Sequence, residues 1–360
     1  MDRGKIGTMD AASTFDDEAY LDFVEGMRVF ALTKLAPVMR KQAAATLASD
    51  TTLDNYVDNL PAVQNVLDPM PIVGIRNHIY RNVQEMAWRR VVATRERDGE
   101  RLRAELEKAD SEGPSTLTLD PDLEMPYYYD SMDVHIQPGS YHRYDLGGYV
   151  FHYGSNVFHL GENYGDDLQK QIAGTIPAPP DGQVNRVLDL ACTHGLTTVA
   201  LKDRFPNAEV HGIDLAAATL RYGHRRANAL GSEVHFSQQA AENLNYPDNH
   251  FDLVLSYILF HEVPVEIGRQ VIDEAYRVLR PGGLFVVVDF PSGNPPATTP
   301  EGLVGEYERA FDARFNGEPY SFAMVRSDLN GYLTKTFTKT FIDDQPFEAL
   351  RGARLRVGEK

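Results

Sequence analysis

Two carboxylates and a turn of small side chains are the residues whose types and spacing suit the binding of a nucleoside. Asp189 lies near the end of one apolar segment, and Asp214 ends the next. The first segment is followed by the small residues Ala191, Thr193 and Gly195. An acid at the end of the second strand of a βαβ unit is the usual partner of ribose hydroxyl groups. We therefore interpret this part of the sequence as a strand, a tight turn, a helix and a second strand.

The composition of the turn indicates which nucleotide it accepts. A dinucleotide fold needs the pattern G-x-G-x-x-G, because its backbone presses against a pyrophosphate. Here only Gly195 is present, and the carboxylate of Asp189 would repel a pyrophosphate but suits an amino group. A ligand with an amino group, a ribose and no phosphate is S-adenosylmethionine, and we predict this cofactor. Its remaining contacts are expected to be Leu215, Ala241, Glu242 and Ser256.

Strands and helices alternate through the second half of the chain. Apolar strands are predicted over residues 185–190, 210–215, 233–237, 251–257 and 284–290, with helices over 266–279 and 301–314. Alternation at this spacing predicts an α/β fold with a parallel, doubly wound sheet and helices on both faces. Residues 332–341 and 350–357 alternate with period two, and we expect them to close the sheet as an antiparallel hairpin.

Residues 184 to about 290 resemble the class I S-adenosylmethionine-dependent methyltransferases, in the broad group that includes enzymes of ubiquinone and menaquinone biosynthesis. The resemblance rests on the turn, on the acid that ends the second strand, and on residues 240–245, 251–254 and 279–283, in order and in register. It implies a Rossmann-like sheet of order 3-2-1-4-5-7-6. The family's acid that contacts the adenine amino group corresponds to Ala240, so Gln239 or Glu242 is expected to replace it.

The chain is long enough for more than one domain. Residues 1–122 are predicted to be a helical domain that covers the cofactor cleft or forms a homodimer, residues 123–183 a lid and linker, and residues 184–360 the methyltransferase core. Residues 109–122 carry loop-forming residues and are interpreted as an exposed linker. Two apolar helix faces support the helical domain: Tyr20, Phe23, Met27, Phe30 and Leu35 in one helix, and Ile72, Ile75, Ile79, Val83 and Met86 in another.

Residues 126–164 are rich in tyrosine and histidine and show no clear helical or strand period. One interpretation is that the segment packs the N-terminal helices onto the core, because aromatic side chains dominate burial. The other is a substrate lid, whose ring faces stabilise a sulfonium and exclude water. For the lid, the predicted acceptor contacts are Tyr128, Tyr129, His135 and Gln137, and Tyr257 is predicted to line the same pocket from the end of the strand at residues 251–257. The histidines lack acidic or thiol partners at the offsets of a zinc motif, so no metal is expected.

Three side chains are candidates for the chemistry: His261, Tyr141 and His142. His261 follows the strand at residues 251–257, and strand ends at this position of a doubly wound sheet face the ligand. We interpret it either as a general base or as a hydrogen-bonded loop residue. Tyr141 and His142 lie in the aromatic segment, where their contacts would act mainly in the transition state.

Composition excludes several classes of partner. A net charge of −17 argues against nucleic acid, whose binding needs Lys and Arg at the phosphates, and equally against an anionic membrane surface. The single cysteine excludes a disulfide framework and is typical of a reducing compartment. The acidic N-terminal segment is unlike a signal peptide, and no apolar run approaches the roughly 20 residues of a membrane span. We therefore expect a cytoplasmic protein.

The residues together predict an enzyme that transfers methyl from S-adenosylmethionine to a small-molecule acceptor by in-line displacement in a closed, aromatic-lined pocket. Two alternatives stay open. One is an S- or carboxyl-methyltransferase that acts by orientation alone, without a general base. The other is a regulatory protein that binds the cofactor without transferring methyl, since a fold does not by itself decide function.

Overall fold

The computed structural model describes residues 5–11, 13–50, 53–342 and 352–360. Its helices are α1 Phe15–Phe30, α2 Ala36–Ala48, α3 Leu60–Leu67, α4 Pro71–Arg97, α5 Gly99–Ala109, α6 Tyr127–Asp130, α7 Gly147–Phe158, α8 Asp167–Thr175, α9 Leu196–Arg204, α10 Ala217–Ala229, α11 Val265–Val278, α12 Pro300–Phe315, α13 Ser321–Arg326 and α14 Leu329–Thr336. Its strands are β1 Lys5–Ile6, β2 Met9–Asp10, β3 Thr116–Thr118, β4 Arg186–Leu190, β5 Glu209–Asp214, β6 His235–Gln238, β7 Phe251–Tyr257, β8 Leu279–Asp289, β9 Lys339–Ile342 and β10 Arg354–Glu359. Within these ranges, no helix is both long and apolar enough to cross a bilayer.

One mixed sheet organises the second half of the chain. Its strand order in the described residues is β3-β6-β5-β4-β7-β8-β10-β9. The strands from β3 to β8 pair in parallel, whereas β10 pairs antiparallel with both β8 and β9. Counted from β4, the order is 3-2-1-4-5-7-6 with one additional strand, β3, beyond the third. The α/β fold class and the expected strand order are therefore confirmed.

The additional strand corrects the interpretation of residues 109–122 as a linker. Thr116, Leu117 and Thr118 pair in parallel with β6, and the Ser115 hydroxyl donates to the carbonyl of Ser232 at 2.6 Å. Leu117 packs against the core cluster that includes Phe236. A short polar–apolar–polar stretch is enough to extend a parallel sheet when its one apolar residue finds the core.

The predicted antiparallel hairpin forms between β9 and β10, but its first strand is wrong over residues 332–336, because residues 329–336 form helix α14. The side chain of Asp328 accepts the amide N–H of Gly331 at 3.0 Å and so caps this helix. Leu329 and Leu333 are buried four residues apart, in the core cluster that contains Val271 of α11. The helical spacing of the two leucines therefore outweighs the alternating threonines. Residues 350–351, the start of the second predicted strand, lie outside the described residues.

The N-terminal helices form as predicted, and part of their predicted apolar faces is exposed in the single chain. Phe23 and Phe30 of α1 are 57% and 45% exposed, whereas Leu21 and Val24 are buried. Ile75 of α4 is likewise 51% exposed. A polar contact explains which face of α1 is buried. The buried Arg28 of α1 faces α4, where its guanidinium donates to Gln84 at 3.1 Å.

Helix α7 was not expected in the aromatic segment, and it lies between α4 and α10. Close backbone approach explains its glycines: a Cβ at Gly154 would lie 2.1 Å from the Trp88 ring, and one at Gly148 would lie 2.4 Å from Cβ of Tyr222. The side chain of His152 is buried between Tyr222 and Asp166. This half of the segment therefore packs the N-terminal helices onto the core, although Phe151, Ser155 and Phe158 of α7 also line the cavity that residues 127–142 reach.

Candidate active site

A cavity of about 410 Å³ lies at the carboxyl ends of β4, β5 and β7, where a doubly wound sheet binds its ligands. Residues from α1, α4, α7 and the segment between α12 and α13 close it on the other sides. Nine of the residues predicted from the sequence line this cavity: Tyr129, His135, Tyr141, Asp189, Ala191, Thr193, Asp214, Tyr257 and His261. The predicted cofactor acids and most of the predicted acceptor residues therefore meet in one space.

Three predicted acceptor or catalytic residues do not line the cavity. Gln137 is fully buried and donates from Nε2 to the carbonyl of Ser140 at 2.8 Å. His142 has its Nε2 2.8 Å from Oδ1 of Asp130. Tyr128 donates its hydroxyl to Glu242 at 2.6 Å.

Glu242, which accepts the hydrogen bond from Tyr128, is a predicted cofactor residue that does not line the cavity. Three other predicted cofactor residues also lie outside the lining: Leu215, Ala241 and Ser256. Leu215 packs partly buried at the edge of a core cluster, and Ala241 and Ser256 are buried. Gly195 precedes α9 with φ of +69°, and a Cβ there would lie 2.6 Å from the Phe236 ring. Glycine at this position therefore serves the close approach of helix and sheet rather than a direct contact in the cavity.

Asp214 is held by the backbone on both of its oxygens. Its Oδ2 accepts the amide N–H of Thr193 at 2.9 Å, and its Oδ1 accepts that of Ala216 at 2.8 Å. Burial raises the pKa of this carboxyl to about 6, although the backbone hydrogen bonds act in the opposite direction. Each carboxylate oxygen has two lone pairs, so both keep one acceptor position for a ribose hydroxyl.

Asp189 is a second buried acid that lines the cavity. It is buried, and its Oδ2 accepts the hydroxyl of Thr198 at 2.7 Å. Burial raises its pKa to about 7, against the effect of the Thr198 hydrogen bond, and the nearby Asp214 adds to the rise. A buried acid with one side-chain hydrogen bond among the described residues is favourable for a cationic ligand, whose charge would offset the cost of burying the carboxylate.

The turn that joins these acids has a left-handed backbone at residues other than glycine. Ala191 and Thr193 have φ of +52° and +47°, in the region that L residues with a Cβ rarely occupy. These are the positions at which the resembled family carries glycine. The chain therefore keeps the backbone geometry of the glycine turn and stores strain in it.

His135 lines the same cavity from the segment after α6. Its own backbone is left-handed, with φ of +52°. Its carbonyl oxygen accepts two side-chain donors from α4, Gln84 Nε2 at 2.7 Å and Trp88 Nε1 at 2.8 Å. Two such bonds from one helix hold a strained residue in place, which is typical of a functional position.

The imidazole of His135 lies between two acids. Its Nε2 is 3.1 Å from Oε1 of Glu262, and its Nδ1 is 3.2 Å from Oε1 of Glu318. Burial opposes the charge of the ring, but Glu262 and Glu318 outweigh it and raise the pKa of His135 to about 10. Burial works against the charge of Glu318 too, yet His135 lowers the pKa of that carboxyl. His135 is therefore an imidazolium at neutral pH.

His261 is held in a similar way on the opposite side of Glu262. Its Nδ1 is 2.8 Å from Oδ1 of Asp289, and its Nε2 is 3.5 Å from Oε1 of Glu262. Burial opposes its charge, but Asp289 and Glu262 raise its pKa to about 9. Both imidazoles thus face the same carboxylate oxygen, and the other oxygen of Glu262, Oε2, is buried with no hydrogen-bond partner in the described residues.

Several functional candidates in this cavity were not singled out from the sequence as site residues. Glu262 was seen only as the neighbour of His261, and Glu318, Asp312, Arg28 and His194 were not identified. Among the acids, Glu262 lies in the loop after β7, Asp312 lies near the end of α12, and Glu318 follows that helix. Arg28 lies in α1. No local pattern marks them, because they become neighbours only when distant helices pack together.

The second half of the chain is similar to known methyltransferases. Residues 187–283 match the family model described as a methyltransferase domain. A demethylmenaquinone methyltransferase of Thermus thermophilus is 40% identical over 41% of this chain and 62% of its own length. A fatty-acid O-methyltransferase of Mycolicibacterium smegmatis is 33% identical over 40% of this chain and 50% of its own length. The chain thus spans less than two thirds of the length of these relatives.

Solved structures show a similar partial overlap. An O-methyltransferase family protein from Burkholderia thailandensis is 16% identical, with a TM-score of 0.43 over 58% of this chain and 60% of its own. The matched family segment contains the turn after β4, both buried carboxylates, and β7 with the start of β8. In this segment, the chain is similar to the class I S-adenosylmethionine-dependent methyltransferases.

Proposed function

We propose that the protein transfers a methyl group from S-adenosylmethionine to a small-molecule acceptor in this cavity, with Glu262 as the base that takes the acceptor's proton. When bound, the cofactor supplies an electrophilic methyl group on a sulfonium. The observation that carries the proposal is the free Oε2 of Glu262 in the lining of the same cavity as Asp189 and Asp214. A buried carboxylate oxygen without a partner is costly unless a ligand satisfies it.

The cofactor side is proposed to recognise the two polar ends of a nucleoside with an amino acid. Asp214 would accept ribose hydroxyls through the lone pairs that Thr193 and Ala216 leave free. Asp189 would offset a positive amino group. Tyr129, Tyr141 and Tyr257 supply aromatic walls that exclude water between the two sides.

The acceptor side is proposed to orient Glu262 through its neighbours. His135 and His261 hold Oε1, so the carboxylate cannot rotate freely, and Oε2 remains to accept a proton from a hydroxyl, an amine or an acidic carbon. The bond from sulfur to the methyl carbon breaks as the acceptor atom bonds to that carbon, and the acceptor's proton passes to Oε2. His261 is protonated at neutral pH, so we assign it the positioning of Glu262 rather than the role of base.

The test is S-adenosylhomocysteine release with a panel of phenols, enols, carboxylic acids and amines. Glu262→Gln is expected to lower kcat for hydroxyl acceptors about 10²- to 10⁴-fold, with cofactor affinity unchanged. The matched control is Glu266→Gln, the same change at an exposed position outside the cavity, which should behave as wild type. Full turnover in Glu262→Gln would favour catalysis by orientation alone. Cofactor binding without release from any acceptor would favour a regulatory protein instead.

A further inference from the structure

A second cavity adjoins the candidate active site. Its volume is about 870 Å³, against about 410 Å³ for the active-site cavity, and it lies between α2, the start of α4, α12 and α13. The two cavities share four lining residues: Tyr80, Phe290, Asp312 and Glu318. Glu318 also contacts His135 at 3.2 Å, so the shared wall lies directly behind the charged groups that hold Glu262.

The walls of this second cavity are small and apolar where α2 faces α12. Ala44, Val304 and Val325 line it, and all three are buried. Gly305 lines it from the middle of α12, and a Cβ built there meets no atom within 4 Å. A helical glycine with open space beside it leaves room that an alanine or larger residue would occupy.

The charged residues that line the second cavity do not favour a strongly ionic ligand. The lining contains four basic residues, Arg40, Lys41, Arg76 and Arg309, and four acidic ones, Glu301, Glu308, Asp312 and Glu318. Arg40 and Arg76 both pair with Glu308, at 2.7 and 3.2 Å. The interior therefore has no excess of one sign, and the groove between the paired charges is apolar.

Tyr80 and Asp312 are two of the residues that line both cavities. The ring of Tyr80 lies between two guanidiniums, with Arg28 at 4.9 Å and Arg76 at 4.5 Å from its centroid. Asp312 has a buried Oδ1 without a hydrogen-bond partner in the described residues. That oxygen therefore makes no side-chain hydrogen bond that a rotation of Asp312 would break.

We propose that the second cavity holds the body of an elongated amphipathic acceptor, whose polar reactive end passes between Tyr80, Phe290, Asp312 and Glu318 to reach Glu262. The proposal rests on the proposed function. The active-site cavity must hold the reacting parts of both cofactor and acceptor, and pockets for small molecules typically measure about 300–1,000 Å³. A short acceptor would leave the larger second cavity unfilled. An acceptor with a polar head and an apolar chain would fill both the active-site cavity and the second cavity.

The experiment measures binding of a chain-length series in the full-length protein with S-adenosylhomocysteine present. The probes are para-alkylphenols with ethyl, butyl, hexyl and octyl chains, and calorimetry gives each affinity. In the wild type, affinity should rise by up to about fourfold for each added methylene, because each buried methylene contributes hydrophobic free energy. Gly305→Phe should abolish this rise for the hexyl and octyl chains and leave ethylphenol binding within about twofold of wild type.

Gly174→Phe is the matched control, because Gly174 is a glycine of α8 that is exposed, has no atom within 4 Å of its Cβ position and lies outside both cavities. It should retain the wild-type chain-length dependence. If Gly305→Phe does not fold, Ala45→Phe closes the same cavity from an exposed position of α2. Loss of the long-chain gain in these variants supports the proposal.

The proposal is overturned if affinity is independent of chain length in the wild type, or if Gly305→Phe and Ala45→Phe keep the wild-type rise. Failure of the proposed function has a different signature. In that case the long chains would bind and Gly305→Phe would block them, but no alkylphenol or other acceptor would release S-adenosylhomocysteine from the methyl donor.

Discussion

The amide N–H of Thr193 donates a 2.9 Å hydrogen bond to Oδ2 of Asp214, which ties the turn after β4 to the end of β5. The opposite oxygen accepts from the amide of Ala216 at 2.8 Å. The carboxylate is therefore oriented by the backbone before any ligand binds. A preoriented acceptor loses little conformational entropy on binding, so its contribution to affinity should be close to that of a full charge-assisted pair of bonds.

Asp214→Ala is expected to weaken S-adenosylmethionine binding by about 2–4 kcal/mol, because two charge-assisted hydrogen bonds to the ribose are lost. Calorimetric titration measures the change. Asp252→Ala is the matched control, since Asp252 is also buried and also accepts two backbone amides, those of Asn185 and Arg186, but lies outside the cavity. Asp252→Ala should lower the melting temperature without changing affinity. Equal affinities in wild type and Asp214→Ala would refute the ribose site.

Cofactor binding should release protons near pH 6.5. Burial raises the pKa of Asp189 to about 7 and that of Asp214 to about 6, and a bound cation with ribose hydroxyls should lower both. A pKa that falls on binding means that affinity rises with pH, here by about tenfold between pH 5.5 and 7. Calorimetry in buffers of different ionisation enthalpy counts the released protons. Asp189→Asn should remove most of the release, and an unchanged count would contradict the assignment.

The stability of the free protein should fall as pH rises from 7 to 10. The pKa values of His135 and His261 are raised from 6.5 to about 10 and about 9, so the folded state holds protons that the unfolded state has lost. Their contribution is complete below pH 6.5 and disappears as pH passes through the folded values. His135→Gln should therefore cost on the order of 2 kcal/mol at pH 6.5 and progressively less toward pH 10. Urea unfolding measures the difference.

His78→Gln is the control for this pH dependence, because His78 is an exposed histidine of α4. It should follow the wild-type curve at every pH. A constant difference between His135→Gln and the wild type from pH 6.5 to 10 would show that His135 contributes packing rather than charge.

Replacing Ala191 by glycine should stabilise the protein by up to about 1 kcal/mol. The left-handed backbone at this position costs roughly 1–2 kcal/mol for a residue with a Cβ. Part of that gain is lost because glycine has more conformational freedom in the unfolded chain. Thr193→Gly relieves the same strain but also loses the 3.0 Å contact between its hydroxyl and Nδ1 of His194. Thermal unfolding compares both with Ala104→Gly, at an exposed position inside α5, which should destabilise by about 0.5–1 kcal/mol. Destabilisation by Ala191→Gly would show that the turn stores no strain.

The sequence by itself determined the sheet from β4 to β8 and the cofactor side of the site. Apolar strands, strand-end acids and a small-residue turn are local patterns, and each depends on a few neighbouring residues. Asp189, Thr193 and Asp214 were therefore identified correctly as neighbours, because a βαβ unit brings consecutive strand ends together. The same local reasoning was wrong for residues 332–336, where the burial of two leucines decided between helix and strand.

Only the tertiary structure decided the acceptor side. His135 and Glu318 lie far apart in the sequence, and their contact at 3.2 Å exists because helices and loops from separate segments pack together. A raised pKa or an unpartnered carboxylate oxygen is a property of that packing, since burial and neighbouring charges set it. The turn strain at Ala191 and the space beside Gly305 have the same origin: a residue type is visible in the sequence, but its φ angle and its surroundings are set by the folded chain.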